Sequence, residues 1–222
     1  INSPGEPGVF YFMGCGFTRL PEKDGDAEKT LAAMLDQSHR RNRELIGRVN
    51  SKLSGLELDY ERDVLPLTPA QNATERHIVR SYYEKAMDMH ASDGKAAAKW
   101  WAQQFGMAPE SLQEKADDVN GFVDALRSKL MKRGGLGYAQ PTRDTFPPLD
   151  DVIKMILECR AIPTSAWLDG TSEGESNPRQ QLECLAAKGV AAVNVIPDRH
   201  WNVKDADKRA KLVAELNRYV QT

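Results

Sequence analysis

Residues 162–196 read IPTSAWLDGTSEGESNPRQQLECLAAKGVAAVNVI, and the fold class turns on how this stretch divides. Ile162–Leu168 has strand length and stops at the turn pair Asp169-Gly170. Asn177 then offers a cap oxygen, and Pro178 suits a first helical position, where its missing N–H has no partner to lose. Gly189 falls just past the end, so a helix is predicted over 177–188. Val190–Ile196 follows as a second strand. Two strands joined by one helix lie parallel in one sheet with a right-handed crossover. Working outward, Val152, Ile153, Ile156 and Leu157 predict a helix over 149–159. Leu212, Val213, Leu216 and Val220 predict another over 205–220. This α-β-α-β-α run makes the protein α/β.

Upstream, residues 1–8 form a turn-rich entry, and Val9–Met13 (VFYFM) reads as a buried strand ending in Gly14-Cys15-Gly16. Apolar residues over 26–53 recur at helical spacing, giving one long helix or two short ones. In Gly55–Leu67 the alternation of Leu56, Leu58 and Tyr60 predicts a strand, with Glu57, Asp59, Glu61 and Asp63 on its other side. Such carboxylates either face water or meet cationic partners, because isolated buried charge is costly. Residues 68–133 are helical in pattern, with Thr68-Pro69 and Asn72 as rival starts, and the Tyr82-Tyr83 and Trp100-Trp101 pairs belong to helix cores. The organisation expected is an N-terminal α/β part (1–69), a helical insertion (70–133), a Gly- and Pro-rich linker (134–148) and a C-terminal α/β part (149–222).

The 222 residues carry 30 Lys and Arg against 32 Asp and Glu, a net charge of −2. That balance argues against a nucleic-acid face, which needs a basic surplus. No apolar run approaches the roughly 18–20 residues of a membrane span. Cys15, Cys159 and Cys184 are too scattered for a disulfide framework, which points to a reducing, cytoplasmic compartment. The chain starts at Ile1 without an initiator Met or a signal-peptide pattern, and reads as a processed fragment.

In a parallel α/β sheet, chemistry collects on loops after the carboxyl ends of strands. Two such loops are visible, Asp169–Glu175 and Pro197–Trp201. Asp169, Glu173, Glu175, Asp198 and His200 are therefore expected at one mouth, where carboxylates and an imidazole suit a divalent ion or general acid–base work. The alternative for each is turn and loop chemistry, since Asp-Gly needs no function. His77, His39 and His90 read as structural hydrogen-bonders, and Cys15 as a packing or turn residue.

The segments GLELDYERDVLPLTP (55–69), NATERH (72–77), IPTSAWLDGTSEGE (162–175) and VNVIPDRHWN (193–202) resemble bacterial proteins of the polymerase-and-histidinol-phosphatase (PHP) superfamily. The resemblance implies a partial or distorted β/α barrel of PHP or TIM type, with the helical insertion. It also implies metal-dependent hydrolysis of a small phosphoester by an ion such as Mn, Zn or Fe. Glu57 aligns with the family's Gly-x-Glu strand as a metal ligand, beside Asp198 and His200; Asp169 positions or activates water, with His200 also catalytic. The departures are that no His-x-His motif occurs, Trp167 stands where the family has a ligand His, and the closing Asp-x-His strand is missing. Two further readings stand beside this one. One is an inactive α/β domain binding a sugar, another metabolite or a protein partner. The other is a metal-independent lyase or isomerase using Glu61 and His200. Oligomeric state is not legible.

Overall fold

In a computed structural model, residues 9–142, 144–172, 175 and 177–220 are described, the side chain of Tyr219 excepted. The turn-rich entry at 1–8 and the candidate Glu173 lie outside the described residues. The chain divides into two compact units, Leu35–Gln140 and the pair Ile1–Met34 with Pro141–Thr222.

The second of these holds one three-stranded sheet in the order β1 (Phe12–Cys15), β2 (Ile162–Trp167), β3 (Ala192–Val195). β2 and β3 run parallel, with Thr164 opposite Ala192 and Trp167 opposite Val195. The helix between them, α7 (Pro178–Ala187), is fixed as its sequence requires. Asn177 Oδ1 accepts from Gln180 N at 3.2 Å, and Gly189 turns the chain at φ +85°. Pro163, Thr164 and Ser165 are buried in succession, as befits a central strand covered on both faces. α6 (Leu149–Glu158) packs Met155 and Ile156 with Ala27, Cys159 and Ala161, and Phe12 of β1 joins them. α8 (Ala206–Val220) packs Leu212 and Leu216 against Trp167, with Val193 and Val195 alongside.

Two expectations are corrected here. The β/α barrel is absent: helix dominates, and the described residues form a small mixed sheet where a barrel needs eight strands. Val9–Met13 is not a buried strand. β1 starts at Phe12, lies at the sheet edge antiparallel to β2, and leaves Tyr11 and Met13 exposed. A β-α-β unit occurs in barrels and in open sheets alike, so its presence does not set the number of strands.

The Leu35–Gln140 unit is helical. Asp26–Asn50 is one unbroken helix, α1, whose later turns belong to this unit. α2 (Glu75–Met89), α3 (Gly94–Gln104), the single-turn α4 (Glu110–Gln113) and α5 (Val119–Met131) follow, as the spacing of three and four predicts. α2 starts at neither expected cap. Thr74 caps it, with His77 Nδ1 accepting from Thr74 N at 3.1 Å in place of a Glu side chain. The core holds Ile78, Tyr82, Trp101, Phe122, Leu126 and Leu130, all fully buried.

The predicted strand over 55–67 is also corrected. Leu56, Leu58 and Tyr60 are buried while Glu57, Asp59 and Glu61 are exposed, so the alternation is real. Among the described residues no strand pairs with it. Asn50 takes that place: its Nδ2 donates to Leu58 O at 2.8 Å, and its Oδ1 accepts from Leu58 N at 3.1 Å and from Tyr82 Oη at 2.7 Å. The chain then winds into a π-helical turn, Tyr60–Val64, capped by Asp59, and a 3₁₀ turn, Leu65–Leu67. Asn50→Ala leaves these three groups short of a partner and is expected to cost about 2 kcal/mol. A urea midpoint unchanged from wild type contradicts this role for Asn50.

Candidate strand-end site

The loop after β2 is built around Glu175. This carboxylate is 0% exposed and accepts from the backbone N–H groups of Leu168 (2.6 Å), Asp169 (3.2 Å) and Gly170 (2.8 Å). Its own N–H donates to Ser172 Oγ at 3.3 Å. Gly170 has φ +79°, and a Cβ there would collide with Leu212, so the tight turn and the helix beside it both require glycine. Glu175 thus holds the loop from within and does not offer its oxygens outward.

Asp169 does face the mouth. Its Oδ1 accepts from Thr171 N at 2.9 Å and Thr171 Oγ1 at 2.6 Å, and its Oδ2 accepts from Asn202 Nδ2 at 3.0 Å. Asn202 ends the 3₁₀ turn Pro197–Asn202 that follows β3. The two loops are therefore tied together at the carboxyl ends of parallel neighbours. Partial burial pushes the Asp169 carboxyl up, but the Thr171 and Asn202 hydrogen bonds and the Arg199 charge outweigh it and hold it below the usual range. Because the folded value is depressed, this stabilisation is fully present above the unfolded value of about 4 and is lost as pH falls through the folded value. In pH titrations of wild type and Asp169→Asn, the variant is expected to flatten stability changes below about pH 4. Superimposable acid limbs would contradict the link.

The 3₁₀ turn carries three more groups. Asp198 is its second residue and is exposed. His200 is 7% exposed, and its Nε2 is buried with no hydrogen-bond partner. Trp201 is 65% exposed, with the Arg209 guanidinium 4.1 Å from its ring centroid. Arg209 is itself fixed by donating to Val203 O at 2.8 Å. Trp167 Nε1, at the end of β2, is likewise buried without a partner. A surface depression of about 290 Å³ elsewhere in this unit is lined by Arg19, Glu22, Asp26 and Glu158. Its charges are taken up by the Arg19–Glu22, Lys154–Asp26 and Lys154–Glu158 pairs.

The residues expected at a metal centre lie on separate elements, Glu57 apart from Asp198 and His200. Glu57 belongs to the Leu35–Gln140 unit and is exposed there, whereas Asp198 and His200 belong to the other unit. Among the described residues no three His, Cys, Asp or Glu side chains come together as a metal set. Asp169 is already engaged by Thr171 and Asn202, and Glu175 by the backbone, so the donors present do not fit the ion. The barrel that the PHP resemblance implies is absent, and among the described residues the metal-ligand set it implies is not assembled. The alternative acid–base pair joins Glu61 and His200. Glu61 is exposed, bound to Arg43 at 2.6 Å, and lies in the other unit.

Sequence reasoning missed Asn202 as the tie between the loops, Arg209 as the support of Trp201, and the inward role of Glu175. Comparison with protein-family models, curated proteins and solved structures finds no match. Among the described residues no helix is long and apolar enough to cross a membrane.

Proposed function

We propose that the sheet-bearing unit is a binding module that takes a small polyhydroxylated metabolite at its strand-end loops. The observation that carries this reading is the buried His200 Nε2 without a protein partner, on the same turn as Asn202 and Trp201. An unpaired buried nitrogen costs about 1–3 kcal/mol, which a ligand hydroxyl or a water relieves. Asp169 supplies an ionised acceptor for hydroxyl protons, and the exposed indole offers a flat apolar face for the C–H side of such a ligand. The test is calorimetric titration with glucose, ribose and myo-inositol, with tryptophan fluorescence as a second readout. Saturable binding is expected for at least one of them, lost in Trp201→Ala and weakened in His200→Leu. Absence of saturable binding to all three, or binding unaffected by Trp201→Ala, overturns the reading.

A further inference from the structure

Two histidines of the Leu35–Gln140 unit accept hydrogen bonds through a ring nitrogen that carries no proton. His77 is the third residue of α2, and its Nδ1 lies 3.1 Å from Thr74 N and 3.0 Å from Thr74 Oγ1. A backbone N–H only donates, so this nitrogen is the acceptor. His39 on α1 is fixed by a longer chain of the same reasoning. Asn42 Nδ2 donates to Ala73 O at 2.9 Å, and a carbonyl oxygen only accepts, which sets the orientation of the amide. The same nitrogen donates to Tyr60 Oη at 3.4 Å. Tyr60 is buried, and its hydroxyl proton goes to His39 Nδ1, 2.8 Å away. Both imidazoles are half-buried, within reach of protons from solvent.

These bonds hold one stretch of chain, from the π-helical turn at Tyr60 to the first turn of α2. α1 grips it at Tyr60 through His39 and at Ala73 through Asn42, and His77 closes its far end. A proton on His39 Nδ1 sets three donors against one another and leaves the buried Tyr60 O–H without an acceptor. A proton on His77 Nδ1 frees Thr74 N and puts positive charge in a first helical turn, where the dipole opposes it. The carboxylates beside them are engaged, Glu61 by Arg43 at 2.6 Å and Glu75 by Arg127 and Lys132 at 3.1 Å. Asp36, Arg40, Arg41 and Arg43 flank His39 on its own helix, and Arg76, 3.8 Å from Asp124, precedes His77. We propose that His39 and His77 form a pH-sensitive latch, which holds residues 60–77 to α1 while both rings are neutral and lets that segment open when they take up protons. The ties are complete at neutral and higher pH and are lost as the pH falls.

The test is hydrogen exchange of the full chain, read by mass spectrometry at about pH 8 and about pH 5, with each rate divided by that of the unstructured peptide at the same pH. Amides of residues 61–77 are expected to lose protection about tenfold at the lower pH, while those of α3 and α5 change less than about twofold. His39→Asn combined with His77→Gln keeps an acceptor oxygen at each place and takes up no proton, and Gln is an ordinary partner in a capping box. In that double variant the loss is expected to vanish. The same loss in the double variant, or a loss spread evenly over the helical unit, overturns the proposal. Should the double variant fail to fold, nitrogen NMR of the wild-type imidazoles decides the matter. At about pH 8 both Nδ1 atoms are expected to be without a proton, and a protonated Nδ1 on either ring overturns the latch.

Discussion

Glu175→Ala is expected to lower the unfolding free energy by about 3–5 kcal/mol, the loss typical of removing one partner from a buried charged network. Three backbone donors lose their acceptor at once, and Gly170 N is buried where water does not replace it. Part of the loss is the loop itself, whose left-handed Gly170 has no other hydrogen-bonded reason to stay in place. Glu175→Gln keeps one carbonyl oxygen and most of the volume, so it is expected to fall between wild type and alanine. Urea unfolding, with midpoint and slope compared across the three proteins, measures this directly. A shift under about 1 kcal/mol for the alanine variant would show that the loop finds other partners and that Glu175 is not its anchor.

The second large effect lies in the helical unit. Trp101 is fully buried, edge-on to Tyr82 and Trp100 at centroid distances of 6.4 and 4.8 Å and stacked on Phe105 at 5.3 Å. Trp101→Ala removes a fully buried indole and leaves a cavity in the helical core, for an expected loss of about 3–5 kcal/mol. Its indole Nε1 is buried without an acceptor, which already detracts from its contribution. Trp101→Phe removes that N–H along with part of the ring, and the two changes offset, so a loss of about 1 kcal/mol is expected. Thermal unfolding followed by near-ultraviolet circular dichroism reports both variants. Equal losses for alanine and phenylalanine would mean that lost ring volume does not set the cost at this position.

How much of this was legible depended on whether the deciding interaction was local. The crossover helix was readable because Asn177, Pro178 and Gly189 set both of its ends through the nearest backbone groups. From it followed the parallel pairing of β2 and β3 and the shared end of Asp169 and Asp198. Residues 55–67 show the limit. Period-two burial says that a chain is extended with one side covered, but not whether a strand or the Asn50 side chain meets its backbone. Strand number was likewise out of reach, since β1 pairs with β2 across most of the chain. At the site, Glu175 and Asp169 are equivalent as acidic loop residues on paper. One turns inward to three amides and the other outward to Asn202, a difference set by the left-handed turn at Gly170. The expected metal set required Glu57 to meet Asp198 and His200, and no local pattern reports on such a meeting.

The sheet has an outcome in time as well as in space. β2, α7 and β3 are close neighbours along the chain, so their association closes only a short loop. β1 must instead wait for a segment separated from it by the whole Leu35–Gln140 unit, as Phe12 meets Ser165. Contacts of such long sequence separation are the slow ones. During synthesis β1 emerges first and remains without its partner until β2 leaves the ribosome, by which point the helical unit has already had time to form. The apolar side chains Tyr11, Met13 and Phe17, still exposed after folding, are those that this wait leaves uncovered for longest. The segment from Tyr11 to Phe17 is thus where a chaperone would find this chain, or where two nascent copies would find each other.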